Sequence, residues 1–197
     1  MDRFLEDHPY VDFSSPNIRA KAEELFSGVN NPVEKAKIAY EFVRDEIQHS
    51  FDINASVITA RASDVLSAGT GICHAKANLL AALLRSAEIP AGFCYQHLTL
   101  MDDDSRGYCV HCYNAVFPGD RWIFLDARGN KEGVNAQFSL GGPVLAFSCR
   151  EKYDEYFWNG IYASPQMHIM KMLDSSRTIQ DVMDNLQDFL EGEPDII

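Results

Sequence analysis

Residues 72–87 carry Ile72, Ala75, Leu79, Leu80, Leu83, Leu84 and Ala87 at helical spacing, an apolar stripe too wide for a surface helix. The helix starts abruptly after Gly69-Thr70-Gly71 and cannot continue past Pro90. The rest of the chain must therefore be arranged around it. Cys73 falls in its first turn, where unpaired backbone N–H groups and the helix dipole favour negative charge. The neighbouring glycines let a substrate approach the backbone closely. Two readings of Cys73 stand. It is a thiol nucleophile whose own N–H helps to hold an oxyanion, or it is a small core residue, since free cysteine is often buried.

Upstream, Ser15-Pro16 and Asn31-Pro32 each carry the signature of a helix start, a capping side chain followed by proline at the first position. Ile18, Ala22, Leu25 and Phe26 form the stripe of the first helix, which Gly28 closes; Ala36, Ala39, Tyr40, Val43 and Ile47 form that of the second, which runs to about Gln48. Downstream the period changes. Ala91 to Met101, Tyr108 to Phe117 and Arg121 to Arg128 alternate as strands, joined by turns at residues 102–107 and at Pro118-Gly119-Asp120. Short turns imply an antiparallel meander, so the fold class is α+β. Phe147 to Trp158 is expected to be partly helical. Ser176 to Leu190 reads as a last amphipathic helix, and the seven acids after Leu173 as its solvated face and a frayed end.

With 197 residues, 46% of them apolar, the chain suits a single domain with a real core. Lys and Arg number 17 against 29 Asp and Glu, a net charge of −12. That balance argues against nucleic acid and against an anionic membrane surface. No stretch approaches the ~20 apolar residues of a membrane span, and the first residues do not form a secretory signal. Five cysteines without such a signal read as reduced thiols in a cytoplasm.

A thiol nucleophile needs a base, and the base needs an orienting group. His111 interrupts an otherwise apolar strand, and Asp126 lies between apolar residues of the next, where a carboxylate is costly unless paired. A hairpin centred near Gly119 sets His111 opposite residue 127, within one position of Asp126, so a small change of register or a bulge places the two side chains together. The plainer reading is a lone buried histidine and a strand-end aspartate paired with Arg128. His74 follows Cys73 by one residue, points about 100° away from it and reads as a packing or rim residue. His49 and His97 have no partner that the sequence identifies.

At this point the segments resemble a known family. Ala62-Ser63-Asp64-Val65-Leu66, the run from Gly69 through Gly71-Ile72-Cys73 to Leu83-Leu84-Arg85, and Ile89-Pro90-Ala91 closely resemble the transglutaminase-like superfamily. The segment headed by His111 and Trp122-Ile123-Phe124-Leu125-Asp126 match it in order and spacing. The resemblance covers about residues 32–130, with 131–197 as a C-terminal helical extension of one domain. It implies a papain-like, transglutaminase-core fold and a Cys73-His111-Asp126 triad. The resemblance does not fix the reaction; the triad leads to the expectation of acyl transfer through a thioester on a peptide or protein amide, with water or an amine as acceptor, no cofactor and no metal. Because its amide precedes the cleft segment, Gln48 is a candidate second oxyanion donor beside the Cys73 N–H; its plainer reading is a solvated helix-end residue.

Three rivals are weighed against this reading. Cys109-Val110-His111-Cys112 has superficially zinc-like spacing, but on a strand the two cysteines face opposite ways. An arylamine N-acetyltransferase-like enzyme uses the same triad order, but this chain is short for it. An inactive binding module that kept the fold is the non-enzymatic alternative.

Overall fold

The computed structural model describes residues 1–100 and 107–197; of the turn expected at 102–107 only Gly107 lies among them, and the expected strand end at Met101 lies outside them. Helix α1 (Pro16–Leu25) starts at Ser15 with proline in its first turn and buries Ile18 and Ala22. Helix α2 (Pro32–Glu46) is capped by the Asn31 side chain, which accepts from the N–H groups of Val33 and Glu34. Removing that cap in Asn31→Ala should lower stability by about 1 kcal/mol, read from a urea midpoint. A short parallel pair follows, β1 (Gln48–His49) with β2 (Thr70–Gly71), with helix α3 (Ala62–Ala68) between them. The expected helix to Gln48 ends sooner because Ile47 turns extended and starts this pair.

Helix α4 (Cys73–Ser86) is the centre of the molecule, and α1, α2 and α3 all pack against it. It is buried not along one stripe but on all sides from His74 to Arg85. Its polar residues are spent on backbone carbonyls of other segments. Lys76 Nζ donates to the carbonyls of Ile47 and Arg44, Asn78 to that of Ala60, and Arg85 to those of Glu6, Ala91 and Ala163. A buried polar group is tolerated when it is paired in this way.

The main sheet is antiparallel. β3 (Ala91–Thr99) and β4 (Tyr108–Val116) run in register from Ala91 opposite Val116 to Thr99 opposite Tyr108. β5 (Ile123–Leu125) flanks β4, and β6 (Tyr156–Phe157) flanks β3. One sheet face, with Phe93, Tyr95, Val110, Cys112 and Val116, joins the core around α4. The other, with Cys94, Tyr113 and Ala115, packs on Phe4 and Ile161. The mixed architecture matches the α+β expectation.

The C-terminal third differs from its sequence pattern. Residues 147–158 hold one short 3-10 turn, Glu151–Tyr153, before β6. Helix α5 (Met167–Ser175) was not anticipated. Helix α6 (Ile179–Asp184) is far shorter than the expected 176–190. A reciprocal cap between Thr178 and Asp181 fixes its start, and Asn185 ends it. Beyond it Leu186 and Leu190 still pack on the core, and the Gln187 carbonyl accepts the Val110 N–H at 2.8 Å. Among the described residues no helix is long and apolar enough to cross a membrane.

Candidate active site

The approach to Cys73 is built tightly. Gly69 ends α3 in the left-handed conformation, φ 67°, and turns the chain into β2. Thr70 is held by Thr59, Ser50 and the Gln48 carbonyl. At Gly71 a Cβ would lie 3.0 Å from Ala75 Cβ and 3.2 Å from Thr59 Oγ1, so a glycine suits this approach. Helix α4 then opens with Ile72 at its cap position and no side-chain cap. Its first-turn N–H groups therefore stay uncommitted to any capping side chain, unlike those of α2 and α6. Cys73, half-buried, stands at that end.

His111 on β4 and Asp126 just after β5 are both buried, and His111 Nε2 donates to Asp126 Oδ2 at 2.8 Å. The aspartate is 0% exposed. It also accepts the Ala146 N–H at 2.9 Å on Oδ2 and the Arg128 N–H at 3.1 Å on Oδ1. The Phe147 ring stands edge-on to the imidazole, 5.1 Å between centroids, and fixes its plane. Burial alone would lower the His111 pKa. The charge of Asp126, then that of the Cys73 thiol, and the hydrogen bond to Asp126 overcome it and raise the imidazole from 6.5 to about 10. Burial pushes Asp126 the other way, but the imidazolium and the three hydrogen bonds hold its carboxyl below the ordinary value. The structure thus pairs His111 with Asp126, and the imidazole feels the charge of the Cys73 thiol. Because Nε2 is used by Asp126, Nδ1 is the nitrogen left for the thiol.

The other thiols are differently placed. Burial pushes Cys109 up to about 12, Cys94 likewise, and Cys112 well up. Cys109 is half-buried while Cys112 joins the main core, on the opposite sheet face. Gln48 is exposed on β1, opposite Thr70 in register. Its neighbour His49, opposite Gly71, is buried with Nδ1 unpartnered. Burial, and then the Arg128 charge, lowers its pKa well below 6.5. Nothing in the sequence singled out His49 beyond its place one residue past Gln48. Arg128 pairs with Asp52, not with Asp126, whose charge meets His111 instead.

Two buried groups here carry opposite pH linkage. His111 binds its proton more tightly when folded, so its contribution to stability is whole below about pH 6.5 and is lost as pH rises to about 10. Lys76, lowered from 10.5 to about 7 by burial and then by the Arg128 charge, binds its proton more tightly when unfolded. Its contribution grows as pH rises from about 7 to 10.5. Between pH 7 and 10 the urea midpoint should therefore rise with pH in His111→Ala relative to wild type, and fall in Lys76→Met. Slopes of the same sign in both variants would count against these assignments.

A family model described as the transglutaminase-like superfamily matches residues 19–127. Among solved structures, a candidate cysteine protease from Cytophaga hutchinsonii aligns with a TM-score of 0.52 at 21% identity, over 64% of this chain and 40% of its own. A candidate protease from Parabacteroides distasonis aligns at 17% identity and a TM-score of 0.44, over 68% of this chain and 26% of its own. This chain thus spans less than half the length of either. The first likeness supports the fold. No curated protein matches the chain.

Proposed function

The chain belongs to the transglutaminase-like superfamily, and on that premise we propose that it is a thiol-dependent acyl-transfer enzyme acting on amide bonds. The observation that carries this is the fully buried Asp126, holding Nε2 of an imidazole that feels the charge of the thiol at an uncapped helix start. A buried charged pair is weak as a stabilising device, because desolvation consumes much of its Coulombic gain. As an orienter and base it has a clear use.

In this reading Cys73 Sγ attacks the amide carbonyl carbon, and the C–S bond forms as the carbonyl π electrons move to oxygen. His111 Nδ1 takes, or already holds, the thiol proton. Asp126 keeps the ring oriented and stabilises the imidazolium. The oxyanion is met by the Cys73 N–H, with Gln48 as the side-chain donor carried from the sequence. Collapse of the tetrahedral adduct breaks the C–N bond, His111 gives its proton to the leaving amine, and a thioester remains. Water then gives hydrolysis, and an amine gives cross-linking. We assign the site peptide or protein amides as substrates, and the free thiols suit a cytoplasmic setting.

The test is a screen of peptide and glutamine amides with and without an added primary amine, followed by mass spectrometry. Ammonia or amine release that stops in Cys73→Ala supports the reading, and incorporation of the amine selects cross-linking over hydrolysis. Peptide binding equal in wild type and Cys73→Ala, with no turnover of any amide, would favour the inactive module.

A further inference from the structure

His74 was expected to be a packing or rim residue, and its position in the fold gives it more to do. It follows Cys73 directly on α4. Its imidazole is buried, and Nε2 lies 3.0 Å from the carbonyl oxygen of Val110. Val110 directly precedes His111 on β4. This one hydrogen bond therefore joins the residue beside the thiol to the residue beside the base. A carbonyl can only accept, so Nε2 must carry the hydrogen. Tyr95 stacks on the ring at 6.1 Å between centroids and 29°, which holds its plane. Burial, opposed by the bond to Val110, keeps the imidazole neutral with a pKa of about 3, so His74 is a fixed donor and not a titrating base.

The strand is held from its other polar group as well. The Val110 N–H donates to the Gln187 carbonyl at 2.8 Å. Both backbone groups of the residue before His111 are thus occupied, one by the nucleophile's helix and one by the C-terminal segment. β5 pairs only with Asn114, Ala115 and Val116, so the β4 ladder to β5 stops before His111. Among the described residues, the two bonds at Val110 are what hold this edge of β4 beyond the end of its ladder with β5.

We propose that His74 is a positioning residue, which sets the distance and angle between the Cys73 thiol and His111 Nδ1 by clamping α4 to β4 at Val110. The proposal rests on the acyl-transfer reading and deepens it. It assigns His74 no contact with substrate. Displacement of a reacting group by about 1 Å is enough to cost on the order of 10²-fold in rate.

The experiment measures the second-order rate of Cys73 alkylation by chloroacetamide from pH 6 to 9, with Cys109 and Cys149 in the same digest as internal standards. The proteins are wild type, His111→Ala, His74→Leu and His74→Gln, each checked for folding by circular dichroism. Leucine fills the space without a donor. Glutamine places an amide N–H where Nε2–H lies. The expected result is a His111-dependent rate in wild type, a fall on the order of 10²-fold in His74→Leu with the standards unchanged, and recovery to within about threefold in His74→Gln. A folded His74→Leu protein with the wild-type rate and pH profile overturns the proposal. So does a folded His74→Gln protein that is as slow as His111→Ala, and this arm decides the matter if the leucine variant does not fold. If wild type shows no dependence on His111, the acyl-transfer reading fails, and this inference fails with it. A wild type that depends on His111, matched in rate by folded His74→Leu, strikes the inference alone.

Discussion

Cys73→Ser is expected to retain the fold and lose roughly 10³- to 10⁶-fold in kcat/KM on any amide that the wild type turns over. The substitution exchanges one atom at a half-buried position at the start of α4. It leaves the first-turn N–H groups, the His111–Asp126 pair and the β1–β2 approach as they are. What changes is the nucleophile. A hydroxyl gives up its proton far less readily than a thiol, and the imidazole facing Cys73 is held in its protonated form by Asp126. Binding should persist, so the loss belongs in kcat and not in KM. A matched loss in Cys109→Ser or Cys149→Ser would show that the assignment to Cys73 is wrong, and a urea midpoint for each variant guards against a folding artefact.

The second large effect is expected at Asp126. Its carboxylate accepts three hydrogens, from His111 Nε2, Ala146 N–H and Arg128 N–H. In Asp126→Asn one oxygen becomes an NH₂ group that cannot accept, so at least one buried donor faces another donor. The relief open to His111 is to turn Nε2 into an acceptor and move its hydrogen to Nδ1. That tautomer offers the thiol no base, and kcat should fall by roughly 10²- to 10⁴-fold. Loss of the Asp126 charge also removes the first of the influences that raise His111, so its pKa should drop from about 10 toward 6.5. A ¹⁵N spectrum of the His111 ring across pH 5–10 reads both the tautomer and the titration. An unchanged kcat, or an imidazolium that persists to the same pH, would contradict the role given to Asp126.

The parts of this architecture set by local periodicity were legible in the sequence. Helix α4 and the two long strands came from the switch between helical and alternating spacing. The His111–Asp126 meeting came from hairpin geometry, which set His111 opposite residue 127. The observed register, Asn114 opposite Leu125 and Val116 opposite Ile123, carries His111 opposite residue 128 instead. The ladder ends at Leu125, and Asp126 reaches the imidazole from just beyond the strand, tied to the N–H groups of Arg128 and Ala146.

What was not legible depends on tertiary partners. The apolar spacing of residues 176–190 is helical, yet the helix stops at Asp184, and beyond it the Gln187 carbonyl is bonded to β4 and Leu190 packs on the core outside any helix. Lys76 and Arg85 look like solvent-facing residues of a striped helix. They are buried because other segments, the end of α2 and the start of β3 among them, lay their carbonyls against α4, and no periodicity reports that. By sequence alone His74 reads as a packing or rim residue because it points away from Cys73. The same rotation that takes it off the thiol carries it onto Val110, a contact that exists only once α4 lies against β4.

The most direct test of the central claim needs no substrate: the alkylation rate of each of the five cysteines by iodoacetamide against pH, in wild type and His111→Ala. The account predicts that Cys73 alone reacts fast below pH 7 and that His111→Ala abolishes this advantage while leaving the other four thiols unchanged. If Cys73 reacts no faster than the others, or is indifferent to His111, the three residues are not a working nucleophile, base and orienter, and the acyl-transfer reading does not hold.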